Sequence, residues 1–236
     1  MATLHRIYCS LKQRLSCETL IELPESQSLH VKVVLRKSKG DKLIVFNEQD
    51  GSFLSRIEES KNLCSVFLER FLSKPEKIKP LILGIPLIKK HRFNCILESA
   101  TQLGATKIVP VQFDRGQSFH LKEDKILNQL ISSVEQCGRH TIPKIGKSLT
   151  LQEFINLNSF IVCANEKSEF PLGQISEFIM KSDSVAILVG PEGGFSENEQ
   201  KILYSSLCVK NVTLGNFILR SETAVSCIVS QIQLFY

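Results

Sequence analysis

Over the first 73 residues the apolar positions fall in short runs bounded by polar turns. "HRIYCS", "KLIVFN", "GSFLSRIEE" and "LCSVFLERFL" each have strand length, and residues 47–51 supply a turn between two of them. "SLHVKVVLRKSKGD" interrupts them with a helical pattern and predicts a helix stopping at Gly40. A small β-rich domain over residues 1–73 is expected. Residues 74–80, "KPEKIKP", carry two prolines and three lysines, the composition of a linker.

The pattern then changes to alternation. Strand-like runs at 80–85, 107–113, 160–164, 185–189 and 209–214 are separated by helical periods. Phe93, Ile96, Leu97, Ala100 and Leu103 form one apolar stripe, and Ile126, Leu127, Leu130, Ile131 and Val134 a second. Ala224, Val225, Ile228, Val229 and Ile232 form a third. Strand–helix alternation predicts an α/β domain with a mostly parallel sheet over residues 81–236.

Composition excludes several classes. Hydrophobic content of 43% and charged content of 22% suit a packed globular chain, so disorder is not expected. No apolar run is long enough for a membrane span, and the first residues lack the apolar stretch of a secretory signal. The eight cysteines occur singly, without a Cys-x-x-Cys, which fits buried thiols in a reducing cytoplasm. The five histidines are isolated, so no metal site is expected. Charge is asymmetric: the first 150 residues carry a net +9 and the remainder −4. That balance fits a polyanion grip in the first part and a different task in the second, although a solvated basic face is an equal reading.

The most informative stretch is "LVGPEGGFSENE", residues 188–199. A buried strand runs into a glycine turn, and Ser196 with Glu199 forms a capping-box pattern that starts a helix. Ligands of α/β proteins sit where a strand end turns into a helix N-terminus. The Walker and Rossmann spacings are absent and Glu192 would repel phosphate, so a neutral or cationic ligand packed on bare backbone fits better. A turn that merely lets chain pass chain is the alternative. The plan repeats at "VTLGNFILRSETAVSC", residues 212–227, with Ser221 or Glu222 near the next helix start. Two such turns in one sheet can line the walls of one pocket.

"LVGPEGGFS" with Glu199, followed by "LGNFILRSETA", resembles the RsmE family of small-subunit ribosomal RNA (uracil-N3) methyltransferases, in the SPOUT superfamily. "LESATQLGATKIVPVQFDR" (97–115), "VEQCGRHTIPKI" (134–145) and "LHVKVVLRKSKGDKLIVFN" are similar to further family segments, so the resemblance covers almost the whole chain. The chain departs from the family pattern at Ser99, where lysine is usual, and at Gln102, where glutamate is usual. It also has Asn216-Phe217 where Pro-Arg is frequent.

The resemblance implies a fold of class α/β: a PUA-like RNA-binding β-barrel (1–73), a linker (74–80), and a SPOUT deep trefoil knot with a mostly parallel sheet (81–236). It implies S-adenosylmethionine as cofactor, held by Leu188, Gly190, Gly194, Leu214, Gly215 and Leu219. It further implies a homodimer acting in the cytoplasm on small-subunit ribosomal RNA or the assembled subunit, with no membrane and no metal. Candidate catalytic residues are Arg220, Glu222 and Arg139. A cation near the uracil oxygens would stabilise the developing anion, and a carboxylate could take the N3 proton. Glu222 as a helix-terminal charge, and Arg220 as its ion-pair partner, are the structural alternatives. His5, Arg6, Lys89, Lys90, Arg92 and Arg115 are candidate RNA contacts, and Phe195 either stacks on a base or closes the core. A non-catalytic assembly factor, or a SPOUT enzyme modifying another nucleotide, are the rival functions.

Overall fold

The computed structural model describes residues 4–9, 14–58, 63–117 and 122–236. The chain divides into two compact units, residues 1–77 with 131–142, and residues 78–130 with 143–236. Ser10 and Glu59, at the ends of two predicted strand runs, lie outside the described residues.

The first unit contains β1 (Arg6–Tyr8), β2 (Thr19–Glu22), α1 (Glu25–Leu29), β3 (Lys42–Asn47), β4 (Gly51–Glu58) and β5 (Ser65–Ser73). They form a five-stranded sheet in the order β1-β3-β4-β5-β2. β1 runs parallel to β3, and the other neighbours are antiparallel. The β3–β4 turn is specified locally. Asn47 Oδ1 accepts the Gln49 and Asp50 N–H groups, and Gly51 adopts φ +93° where a Cβ would collide with the Ser73 carbonyl oxygen. Ile7, Leu23, Val31, Leu43, Val45, Val66 and Leu68 are buried together as its core.

Two local expectations need correcting. The helix does not reach Gly40: α1 continues as a single π-helical stretch, His30–Val34, and Arg36 then takes the left-handed φ of 53°. Beyond Leu35 no apolar side chain remains to bury, and Arg36, Lys37 and Lys39 gain nothing from a longer helix. Strand β2 has no counterpart in the apolar pattern because only Ile21 of its four residues is buried.

Residues 131–142 belong with the first unit, although their sequence continues a helical period from the second. Val134 joins Tyr8 and Phe46 in a small apolar cluster, with Ile131 and Ile142 against it. The Glu135 carboxylate accepts the Tyr8 N–H at 2.9 Å, and the Glu48 carboxylate accepts the Ile142 N–H at 2.7 Å.

The second unit follows the order β6 (Leu81–Pro86), α2 (Lys90–Gln102), β7 (Lys107–Gln112) and α3 (Glu123–Cys137), whose last turns are counted with the first unit. Next come β8 (Lys144–Ile145), β9 (Leu149–Thr150), α4 (Leu151–Asn156), β10 (Ile161–Ala164) and α5 (Ser176–Lys181). The order ends with β11 (Val185–Val189), α6 (Glu197–Ser205), β12 (Val209–Val212) and α7 (Ser221–Gln233). The strand order is β12-β10-β11-β6-β7-β8, with β9 on β7, and every pairing is parallel. The unit is thus a mixed α/β fold with a parallel sheet, and all five residues of β11 are buried as such a sheet requires. Ala164 stands opposite both Val189 and Val212, so β10, β11 and β12 end in one row. The third apolar stripe, Ala224 to Ile232 on α7, is buried in the chain's own core. That face is not available to a second copy. Among the described residues no helix is long and apolar enough to cross a membrane.

Candidate functional site

The common end of β10, β11 and β12 opens into a cleft of about 660 Å³, solvent at its mouth included. Residues 164–166, residues 189–191 with 194–195, and residues 213–219 with Ser221 and Ala224 contribute its walls, one stretch following each strand. Carboxyl ends of adjacent parallel strands are where α/β sheets present turns and helix N-termini to a ligand.

The first glycine turn is built as its sequence specifies. The Ser196 hydroxyl accepts the Glu199 N–H, and the Glu199 carboxylate accepts the Ser196 N–H, closing the capping box that starts α6. Glu199 is buried and also accepts the Asp114 N–H at 2.8 Å. A Cβ on Gly190 would meet the Phe195 ring at 2.7 Å, so glycine is needed there for packing. Phe195 itself is buried, edge-on to Phe113 at 5.6 Å, and belongs to the core. Gly194 takes φ +67°, and a Cβ there would meet Glu166 Oε1 at 2.9 Å.

The second turn differs. Gly215 takes φ +137°, with nothing within 4 Å of where a Cβ would stand. Backbone conformation demands glycine here, and the open space beside it is room for a ligand. Phe217 and Ile218 line the cleft 84% and 86% exposed. The two turns are tied together where α7 begins, because the Ser221 hydroxyl donates to the Gly190 carbonyl at 2.9 Å. Arg220 is the N-cap residue of α7, with no side-chain capping bond.

Of the predicted cofactor residues, Gly190, Gly194, Leu214, Gly215 and Leu219 line this one cleft. Leu188 does not. It is fully buried beneath the turn, packed where a Cβ on Gly84 would touch it at 3.0 Å.

The charged candidates are distributed differently. Glu222 pairs with Arg92, Nε to Oε1 at 3.6 Å, rather than with Arg220, and Arg92 also pairs with Glu192 of the first turn. Glu222 faces a neighbouring hollow lined by Cys95, Glu98, Ser99, Gln102, Thr223 and Ser226, where its buried Oε2 has no hydrogen-bond partner among the described residues. Arg115 donates to the Gly193 carbonyl at 2.9 Å, so Arg92 and Arg115 both brace the first turn. Lys89 and Lys90 are exposed, as is His5.

Arg6 and Arg139 lie in the first unit. The Arg6 guanidinium stands 4.3 Å over the Phe46 ring and approaches the Arg139 carbonyl, while Arg139 donates to Thr141 Oγ1 at 3.0 Å. Burial lowers the pKa of both arginines, and nearby Glu76 opposes that fall. Arg139 is not among the residues lining the cleft.

Glu166 is the site residue that pattern reading misses. It is the one ionisable side chain lining the cleft among the described residues. Its only trace in the sequence is an acidic residue just past the strand at 160–164, level with both glycine turns. Among the described residues no group of histidine, cysteine or acidic side chains is arranged to hold a metal.

Parallel strands that end together at two glycine turns form a backbone-rich cleft of the kind in which α/β enzymes bind a ligand. Residues 74–233 match the RNA methyltransferase domain family, and the chain belongs to it. It is 37% identical to ribosomal RNA small subunit methyltransferase E of Rickettsia conorii, covering 98% of this chain and 95% of that one. The protein of the same name from Buchnera aphidicola is 31% identical, over 97% and 95%. A Legionella pneumophila protein solved with its bound cofactor S-adenosylmethionine superposes with a TM-score of 0.85 at 27% identity, covering 99% of this chain and 98% of that one.

Proposed function

We propose that this protein methylates N3 of a uridine in small-subunit ribosomal RNA, with S-adenosylmethionine bound in the cleft at the ends of β10, β11 and β12. The observation carrying this reading is the convergence of both glycine turns on that cleft, in a chain of the RNA methyltransferase family. The residues present fit the cofactor. Gly215 leaves open room beside the backbone, the cleft wall mixes aliphatic side chains with backbone, hydroxyl and amide groups, and among the described residues no basic side chain lines it to oppose a sulfonium. Gly190, Gly194, Leu214, Gly215 and Leu219 would hold it, with Leu188 supporting the turn from beneath.

The cofactor supplies an electrophilic methyl group. The chain must present a deprotonated uracil N3 to it in line, and positioning accounts for much of the acceleration. Exposed Arg220, at the start of α7, is suited to stabilise negative charge on the uracil oxygens. Glu222, held by Arg92 and turned toward the α2–α7 hollow, is better placed as a helix-terminal charge that steadies α7 than as the proton acceptor. Lys89, Lys90, His5 and Arg115 are the exposed candidates for RNA contacts, Arg115 being already engaged with the Gly193 carbonyl. A base in a stacked helix would have to be extruded to reach the cleft.

In this reading the second unit is a SPOUT knot, the first is a PUA-like RNA-binding domain, and the protein acts in the cytoplasm as a homodimer. Arg139 would then act on substrate from a partner subunit, and the dimer interface would avoid the buried face of α7. Solution mass at micromolar concentration tests the dimer. Incubating small subunits with labelled cofactor and mapping the modified nucleoside tests the activity. Label in N3-methyluridine is expected; cofactor binding without RNA methylation would favour a non-catalytic assembly factor.

A further inference from the structure

We infer that Glu166 selects the cationic cofactor over its neutral product, by placing the cleft's one carboxylate beside the sulfonium charge; this rests on the proposed methyltransferase function. The remaining lining residues are glycine, proline, aliphatic, phenylalanine, hydroxyl and asparagine side chains, so nothing else in the cleft distinguishes ligands by charge.

Glu166 is also held in position. Asn165, directly before it, is 1% exposed and donates to Gln200 Oε1 at 2.9 Å and to Asn211 Oδ1 at 3.0 Å. The Asn165 side-chain oxygen accepts the Lys167 N–H, and its carbonyl accepts the Ser168 N–H. Ser168, buried as well, donates to the Asn211 carbonyl at 2.9 Å. The turn is therefore anchored on both sides of Glu166 to β12 and α6, while the carboxylate remains in the cleft. Its Oε1 lies against Gly194, which has no side chain to displace it.

Methyl transfer converts a sulfonium into a thioether. The adenosine, amino and carboxyl groups are common to both forms; the sulfur loses its methyl group and, with it, its positive charge. A partly solvated carboxylate in the cleft that holds the sulfonium would favour the charged form by roughly three- to tenfold. Such a preference shifts occupancy of the cleft from product toward fresh cofactor. It should also shrink as salt screens an exposed carboxylate.

The test is calorimetric titration of the full-length protein and its Glu166→Gln variant with S-adenosylmethionine and S-adenosylhomocysteine, at low and high salt. The variant should bind S-adenosylmethionine roughly three- to tenfold more weakly and S-adenosylhomocysteine within about twofold of wild type. Added salt should narrow the wild-type preference and leave the variant's unchanged. Equal weakening for both ligands would mean that Glu166 contacts a group they share, and unchanged affinities would remove it from the site; either result overturns the inference. Failure of the wild-type protein to bind either ligand would instead overturn the proposed function.

Discussion

The Ser221 hydroxyl lies 2.9 Å from the Gly190 carbonyl and donates to it, joining the start of α7 to the turn after β11. Residues from both sides of this bond line the cleft, so it fixes the distance between the two walls. Ser221→Ala should lower stability by about 1 kcal/mol. It should weaken cofactor binding several-fold through the loosened wall. Urea unfolding and calorimetry together check this, and unchanged cofactor affinity would mean that the walls are held by packing alone.

Glycine replacements should separate packing from conformation. Gly190→Ala drives a methyl into the Phe195 ring and should destabilise the whole unit, because that ring belongs to the core. Gly215→Ala meets no atom, yet it forces an L-residue to φ +137°, a strain of about 1–3 kcal/mol. The cost should appear mainly as reduced cofactor affinity, since the turn can relax when the ligand is absent. Equal melting-temperature losses in both variants would contradict this division.

How much of this site can be read from the chain depends on how local each feature is. The Ser196–Glu199 capping box is three residues long, and the helix begins where it predicts. Runs such as Lys42–Asn47 and Val185–Val189 are strands because each is a continuous apolar segment that a sheet buries. Glu166 stays hidden because its turn contains no glycine or proline; its anchors, Gln200 and Asn211, are recognisable only once α6 and β12 are in place. The Arg92–Glu222 pair joins residues far apart in the chain, so the sequence does not reveal Glu222's partner and neighbouring Arg220 is the natural candidate. Residues 131–142 mislead for a different reason. The period of Ile126, Leu130 and Val134 is continuous, and periodicity cannot show that one helix serves two cores.

Acid should act on the first unit through Glu76. Burial pushes this carboxyl upward, but bonds from its own backbone N–H, the His140 side chain and the His140 and Thr141 N–H groups outweigh it and hold the pKa at about 2, below the ordinary 4.5. A depressed folded-state pKa contributes stability that is fully present above about 4.5 and is lost as pH falls toward 2. Thermal melts between pH 6 and pH 2 should therefore show a steeper loss for wild type than for Glu76→Gln. Parallel curves would show that other carboxylates govern acid unfolding.

The basic residues at the start of α2 should divide into two roles. Lys89 and Lys90 are exposed, whereas the Arg92 side chain is 21% exposed and already engaged by Glu192 and Glu222. Replacing both lysines with alanine should weaken RNA binding and flatten its salt dependence. The log–log slope should fall by about 0.7 for each phosphate of single-stranded RNA that is no longer neutralised. Stability and cofactor affinity should hardly change. Arg92→Ala should behave in the opposite way. It leaves two carboxylates facing one another across the first turn and α7, so melting should fall by roughly 2–4 °C for each kcal/mol of destabilisation. Cofactor affinity should fall with it, while the salt slope of RNA binding stays at the wild-type value. Arg92→Lys should recover part of the stability by restoring the charge without the fork geometry. A salt slope that drops in Arg92→Ala as much as in the double lysine variant would place Arg92 on RNA after all.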